Sequence, residues 1–517
     1  MTNASFKRII DRRYLMCEKK TNVIILLSAF ILYIILWFLH PQMFIPSDPS
    51  AYSQSAFSIF GTGEIGLSKI FDHRVGITFP TAVFYKVFGV NIYSTNLISL
   101  ISALIIIAVV WMTLSTQMEK LWGALICVMS IPLFKSSVAL YPDITATAFM
   151  ALSTYMLIKR YDHIQSRLWL PYAIMSVIFL FWAFLAKMSA YWVLPLWAMS
   201  LLTDMRSDNI KNIIFKFYIP VFITGFLLGV CYLFFTDMIW HDYLARFNVM
   251  HEKSGHHLWS ISTTDNSELL KRITTAPIFH FINEFEICIL LLAILGIIFC
   301  PKHLKTWRYY GLICLFLFWF GSTSFSKYEP LPLTSRMSLP IYPAIYIFAA
   351  ITASKISLLI TESKYKNKFY SILFLVIIIG TPFILYASNW QKVDMSNKLI
   401  FNKLSKIVQT NTSQNHLVVC SENRSPHKMS FYFDYKYPDN LLLVSINNLT
   451  EEMLHNKEYY IYVDKKLAFF LNTSYEEEHH VDIINSLETE PIITSENYLL
   501  LKTTKAQLTK LIDLQTH

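Results

Sequence analysis

The chain has 517 residues, 15% of them charged and 54% drawn from Ala, Val, Ile, Leu, Met, Phe, Trp, Tyr and Cys, against about 25% charged in an average soluble domain. That balance excludes a wholly soluble protein. The charge distribution argues against nucleic acid as a partner: residues 389–517 carry a net −3, so the overall +9 comes from a basic remainder of +12. Basic loops beside apolar runs are the signature of a membrane protein's cytoplasmic side.

In chain order, the apolar runs predict about eleven membrane spans, several needing their flanks to reach the ~20 residues of a bilayer crossing. The first is Val23–Leu39, longer than a signal-peptide core and without a small-residue cleavage site, so it reads as an uncleaved anchor. Tyr93–Leu114, Leu121–Phe134, Ile144–Ile158, Leu168–Ala186, Ala190–Leu202 and Ile213–Phe235 follow. Ile287–Cys300, Tyr309–Phe325, Leu339–Ile351 and Phe369–Ala387 complete the set. Between the first two spans, Ser50–Phe60 reads as a surface helix and Val75–Val90 as an amphipathic helix lying in the interface. Beyond Asn389 the pattern turns polar and alternating. Asn397–Val408 reads as helix; His416–Cys420, Leu441–Ser445, Tyr459–Val463 and Tyr498–Lys502 read as strands. Residues 389–517 are therefore expected to form a small soluble α/β domain after a membrane module of residues 1–388. The seven cysteines form no CxxC pair, so neither a disulfide framework nor a zinc site is indicated.

Orientation follows from the basic residues. Lys7, Arg8, Arg12, Arg13, Lys19 and Lys20 put the N-terminus in the cytoplasm, and alternation assigns Lys120, Lys159, Arg160, Arg167, Arg206, Lys211, Lys302, Lys305, Arg308, Lys355, Lys364, Lys366 and Lys368 to the same side. Three long segments then face outward: 41–92, 236–286 and the C-terminal domain.

The polar residues of interest gather on that outer face. Asp48 follows the first span in "IPSDPSAY". "FDHRVG" brings Asp72, His73 and Arg74; "YPDI" puts Asp143 at the head of the fourth span; "LAKMS" puts Lys187 between the fifth and sixth. "SKYEPLPLTSRMSLPIYP" supplies Lys327, Glu329 and Arg336. Carboxylates and cations delivered by different helices to one membrane face suit a reaction with a lipid-phosphate leaving group. The cations stabilise charge developing on phosphate, and a carboxylate takes a proton from the incoming hydroxyl. Each residue also has a plainer reading. Asp48 and Asp143 suit helix capping, and Arg74, Lys187 and Arg336 suit anchoring at headgroups. "HEKSGHH" (His251–His257) matches no helical metal-ligand spacing and reads as a solvated loop.

An outer-loop aspartate after the first span, an interface helix ending in Phe88–Gly89, the Tyr-Pro-Asp at Asp143, and Arg336 with Pro340 and Pro343 together resemble the GT-C glycosyltransferases. The nearest groups are the protein O-mannosyltransferases and the lipid A aminoarabinose transferases; the serotype-converting O-antigen glucosyltransferases share the plan. The resemblance covers the membrane module. It implies a polytopic α-helical membrane protein of GT-C type in a bacterial inner membrane, its C-terminal domain in the periplasm. It further implies an inverting transfer of sugar from a polyprenyl-phosphate donor to a glycan, glycolipid or protein acceptor, with lipopolysaccharide O-antigen or lipid A foremost. Asp48 would be the general base, with Asp143 a second acid that orients the acceptor or holds a divalent ion if one is used. His73, Arg74, Lys187, Lys327 and Arg336 would meet the donor phosphate. Asp48 is followed by Pro49 where many relatives carry Asp-Glu, and His73–Arg74 stands where the aminoarabinose group has Lys-Pro-Pro. An arginine fork can replace a lysine at phosphate, so these departures point to a different subfamily. A transporter or flippase would instead show charges at span centres and two related halves, and neither pattern is present. An O-antigen ligase or acyltransferase would handle similar substrates and stands as a further alternative.

Overall fold

The computed structural model describes residues 3–40, 48–62, 71–163, 169–206, 210–254, 266–284, 287–298, 300–321, 331 and 335–361, and in the C-terminal part 403–404, 406–408, 415–420, 440–445, 449–454, 457–464, 490–494 and 498–509. Eighteen helices precede a five-stranded sheet among these residues. They are α1 (Asn3–Leu39), α2 (Asp48–Thr62), α3 (Val75–Phe88), α4 (Ile92–Thr113), α5 (Gln117–Met129) and α6 (Ile131–Ser137). Next come α7 (Pro142–His163), α8 (Trp169–Ala186), α9 (Leu194–Asp204), α10 (Ile210–Ile213), α11 (Ile219–Trp240) and α12 (Ala245–Ser254). The series ends with α13 (Asn266–Thr274), α14 (Ala276–Glu284), α15 (Ile287–Ile298), α16 (Lys305–Phe320), α17 (Ser335–Ser338) and α18 (Tyr342–Thr361).

Five helical stretches among the described residues are long and apolar enough to cross a membrane: Thr21–Leu39, Ile92–Thr113, Trp169–Ala186, Ile210–Trp240 and Arg336–Leu359. The protein is a multi-pass membrane protein. Shorter helices α5, α9, α15 and α16 occupy positions where further spans are expected; the last, Phe369–Ala387, lies outside the described residues. Burial distinguishes centre from rim. The apolar window of Arg336–Leu359 is 78% buried and that of Ile210–Trp240 only 11%, so α18 is the hub of the bundle and α11 presents its surface to lipid.

By internal contacts the chain divides into two units: Met1–Gln42, Glu64–Thr81 and Asn96–Ala387 form one, and Met43–Gly63, Ala82–Thr95 and Ser388–His517 the other. In the first, polar side chains tie helices together, as they do where lipid offers no alternative partner. Tyr33 Oη and Trp37 Nε1 of α1 donate to Ser137 Oγ and its carbonyl at 3.1 and 2.8 Å. Asn96 Nδ2 of α4 donates to Val138 O at 2.8 Å. The expected single span Leu121–Phe134 is in fact broken. Ser130 ends α5 and caps α6, accepting from Leu133 N at 3.3 Å, and Pro132 sits in the first turn, where its missing N–H costs nothing. Far along α7, Arg160 donates to Asp204 Oδ2 through Nε (3.0 Å) and Nη2 (2.9 Å), and Tyr218 Oη joins the same oxygen at 2.7 Å. That buried knot binds α7, α9 and the π-turn Ile214–Tyr218.

The segment 236–286 holds more helix than its sequence suggests. His251–Ser254 belong to α12 and are helical, which corrects the reading of His251–His257 as a loop; residues 255–257 lie outside the described residues. Arg272 of α13 is 1% exposed. It donates to the carbonyls of Phe318 (3.1 Å), Trp319 (3.0 Å) and Leu331 (3.0 Å), capping the open end of α16.

In the second unit, Asp48 stands in the first turn of α2. Tyr85 of α3 links Ser53 Oγ (2.6 Å) and Thr95 Oγ1 (2.9 Å) over an apolar cluster with Ala56 and Ala82. Gly89 turns the chain with φ +74°, and Asn91 Oδ1 caps α4 by accepting from Ser94 N at 2.9 Å. The sheet comprises β1 (Asn415–Cys420), β2 (Leu441–Ser445), β3 (Lys457–Asp464), β4 (Glu490–Thr494) and β5 (Tyr498–Thr503), in the order β2-β1-β3-β5-β4. β1 pairs parallel with β2 and β3, while β5 runs antiparallel to β3 and β4. Alternate residues of β1 enter different cores, Leu417 and Val419 on one side and Val418 and Cys420 on the other.

Candidate active site

The site in the first unit begins with a glycine. Gly76, in the first turn of α3, packs so closely on the end of α8 that a Cβ there would collide with the backbone of Leu185 and Ala186. Arg74, just before α3, is thereby brought to Lys187, just after α8. Asp143 comes from a third direction, in the first turn of α7, where the exposed N–H groups favour a carboxylate. It is 4% exposed and forms an ion pair with the Lys187 ammonium. Lys187 Nζ also lies 2.9 Å from Met337 Sδ, which follows Arg336 in α17. The Arg336 guanidinium is 5.4 Å from the Tyr141 ring centroid.

Lys187 thus pairs with Asp143, and Arg74 and Arg336 stand near enough to act on its charge. Lys187 is pulled below the ordinary lysine range, first by burial, with Arg74 and Arg336 adding repulsion and Asp143 opposing them. Those charges act on Lys187 because all four residues meet at one place, although they come from four separate segments of chain. Among the described residues, no three His, Cys, Asp or Glu side chains gather as a metal would need.

Around this centre the ring of His73, 1% exposed, packs on Trp240 with centroids 4.3 Å apart. Asp72 is likewise buried. Below Arg336, His280 Nε2 lies 3.4 Å from Ser338 Oγ, and burial together with Arg272 lowers its pKa to about 4, so the ring is neutral near pH 7. Of the residues expected from sequence, Asp143, Arg74, Lys187 and Arg336 converge and His73 adjoins α11. Lys327 and Glu329 lie outside the described residues, and Asp48 belongs to the second unit. Tyr141, Met337, Arg272 and His280 were missed. Tyr141 and Met337 adjoin expected site residues, which was the available hint.

No family model matches the chain, and no curated protein matches it in sequence. Solved structures do. ArnT from Cupriavidus metallidurans in the apo state superposes with a TM-score of 0.57 at 11% identity, covering 94% of this chain and 98% of that one. The same enzyme bound to undecaprenyl phosphate gives 0.53 at 12% identity, covering 93% and 97%. ArnT is a lipid A aminoarabinose transferase of GT-C fold. The likeness spans both the helical part and the C-terminal part, and the fold of this chain is the GT-C fold.

Proposed function

We propose that the protein transfers a sugar from a polyprenyl-phosphate donor to a hydroxyl of a periplasmic acceptor, lipopolysaccharide O-antigen or lipid A, at the outer face of a bacterial inner membrane. The observation that carries this reading is the buried Lys187–Asp143 pair flanked by Arg74 and Arg336. Basic side chains at the end of membrane helix α8 suit a phosphate whose lipid chain lies in the bilayer. The fold likeness to an enzyme solved with undecaprenyl phosphate supports the same donor class.

The chemistry is a displacement at the anomeric carbon. The acceptor oxygen forms a bond to that carbon as its bond to the donor phosphate oxygen breaks, with inversion, and polyprenyl phosphate departs. Arg74, Lys187 and Arg336 neutralise the charge gathering on the leaving phosphate, and His73 and Lys327 are assigned to the same task from the sequence. Asp143 holds Lys187 in place and, with its other oxygen, orients the acceptor. Asp48 takes the acceptor proton as general base. Membranes containing the protein should transfer radiolabelled sugar from a purified polyprenyl-phosphate donor. Transfer from a nucleotide sugar alone, in sealed vesicles lacking the lipid carrier, would overturn this reading.

A further inference from the structure

The short helices α13 and α14 bury one side and leave large apolar residues on the other. In α14, Pro277, His280 and Phe281 share a face at helical spacing and are buried. The His280 and Phe281 ring centroids lie 5.4 and 5.7 Å from that of Phe318. Ile278 and Phe279 are turned away from that face and are 49% and 60% exposed. Leu270 of α13, two residues and so about 200° round the helix from the buried Arg272, is 64% exposed, and Lys271 beside it is exposed as well. Scattered apolar side chains on a water-facing surface are ordinary, so the depth of these three decides their meaning. Two neighbours fix it. Arg272 caps the outer end of α16 at Phe318 and Trp319, and Trp319 Nε1 donates to Ile273 O at 2.5 Å. That end of α16 also exposes Phe316 and Phe320, and a tryptophan beside a lipid-facing surface marks the boundary of the bilayer. On the other side, only residues 285 and 286 separate α14 from the apolar helix α15. The pair is therefore tied to membrane helices on both sides. Nine residues make about 14 Å of helix, too short to cross, so α13 and α14 lie at the boundary itself.

We propose that α13–α14 is an interfacial anchor: Leu270, Ile278 and Phe279 enter the outer leaflet, and that contact holds the segment carrying Arg336. The partner is identified by chemistry and by continuity. Large apolar side chains gain by leaving water for the acyl boundary, and Lys271 has the reach for a lipid phosphate. The surface also borders helices that already face lipid, so the bilayer meets it without any further component. The buried side of the pair passes the contact on. Arg272 donates to Leu331 O, and His280 meets Ser338 Oγ, one residue on either side of Arg336 in sequence. Lipid of the outer leaflet thereby supports the cationic centre from below. The inference goes beyond the transferase reading and does not depend on it.

The test uses the full chain in nanodiscs of phosphatidylethanolamine and phosphatidylglycerol, one copy to a disc. A phosphatidylglycerol with a diazirine near the glycerol end of its acyl chain should, on irradiation, label residues 270–279. Ile278→Ser combined with Phe279→Ser should lose that labelling severalfold. Amide exchange across residues 335–341 should quicken about tenfold in the same variant, the equivalent of ~1.4 kcal/mol. Both positions are exposed, so the variant should fold, and unchanged exchange in α4 checks that it has. Phe279→Leu keeps an apolar side chain and should alter neither readout. An unlabelled pair, labelling that survives the two serines, or unchanged exchange across residues 335–341 would overturn the proposal. So would protection of the pair only when two copies share a disc, which would assign the surface to a second copy. Neither readout requires sugar transfer. Labelling and exchange as expected without transfer from any polyprenyl-phosphate sugar refute the transferase alone; transfer with an unlabelled pair refutes the anchor alone.

Discussion

Lys187 is a residue whose chemistry its surroundings change. A lysine beside a carboxylate usually holds its proton more tightly, yet here burial and the two arginines outweigh Asp143 and lower its pKa. The sign then follows. In the free protein the ammonium is lost at a lower pH than for an ordinary lysine, and a bound phosphate draws the proton back. Donor affinity should therefore fall as pH rises through the lowered pKa, and Lys187→Arg, which does not titrate there, should keep its affinity. Donor titrations at neutral and alkaline pH check this; an equal alkaline loss in both proteins would remove Lys187 from the phosphate site. Asp48→Asn preserves size and helix-capping ability but cannot accept a proton as a carboxylate does. It should lower turnover by about 10²–10⁴-fold, the usual contribution of a general base, at unchanged thermal stability. Near-normal turnover would leave Asp48 as a cap for α2 and move the search to Asp72 or Asp143. The candidate residues themselves were legible because charges at span ends are conspicuous. Their mutual contacts were not: Lys187 meets Asp143 across 44 residues and Met337 across 150. No local pattern encodes such pairings.

Among the elements, the pair α13–α14 holds Arg336's segment in place. Arg272 joins the end of α16 to Leu331, and His280 meets Ser338, two residues after Arg336. Arg272→Ala would strip three carbonyls, one buried and two half-buried, of their donor. At ~1–3 kcal/mol for each group left unsatisfied and not reached by water, the variant should unfold at a clearly lower temperature. Its KM for the lipid donor should also rise as the Arg336 segment loosens. A thermal melt with paired kinetics reads both, and an unshifted melt would show that the cap is dispensable. This pair escaped the sequence reading because α13 and α14 are only 9 residues each, too short for a periodic signal, and α13 is polar. β4 escaped for a similar reason: it is 5 residues long, holds Pro491, and bulges against β5. The long apolar helices gave the opposite case, where hydropathy alone located them.

Taken whole, the chain has a fold recognisable from its order of spans, loops and tail, at an identity of 11% to a solved neighbour. Few side chains agree although the architecture does, since the bilayer constrains length and polarity more than identity. The basic-loop asymmetry predicts a cytoplasmic N-terminus and a periplasmic C-terminus. A C-terminal alkaline phosphatase fusion should accordingly be active; an inactive one, with a cytoplasmic reporter active in its place, would reverse the topology and with it the assignment of the site to the outer face.

One helix is fastened at both ends. α7 carries a buried ion pair at each, Asp143 with Lys187 and Arg160 with Asp204, 17 residues apart or about 26 Å along its axis. The first ties it to the turn after α8 and the second to α9, so neither end can shift without parting a buried charge pair, a separation that is strongly unfavourable away from water. α7 is thus a strut between two clasps, and the residue that Asp143 holds is fixed as firmly as the far end of the rod.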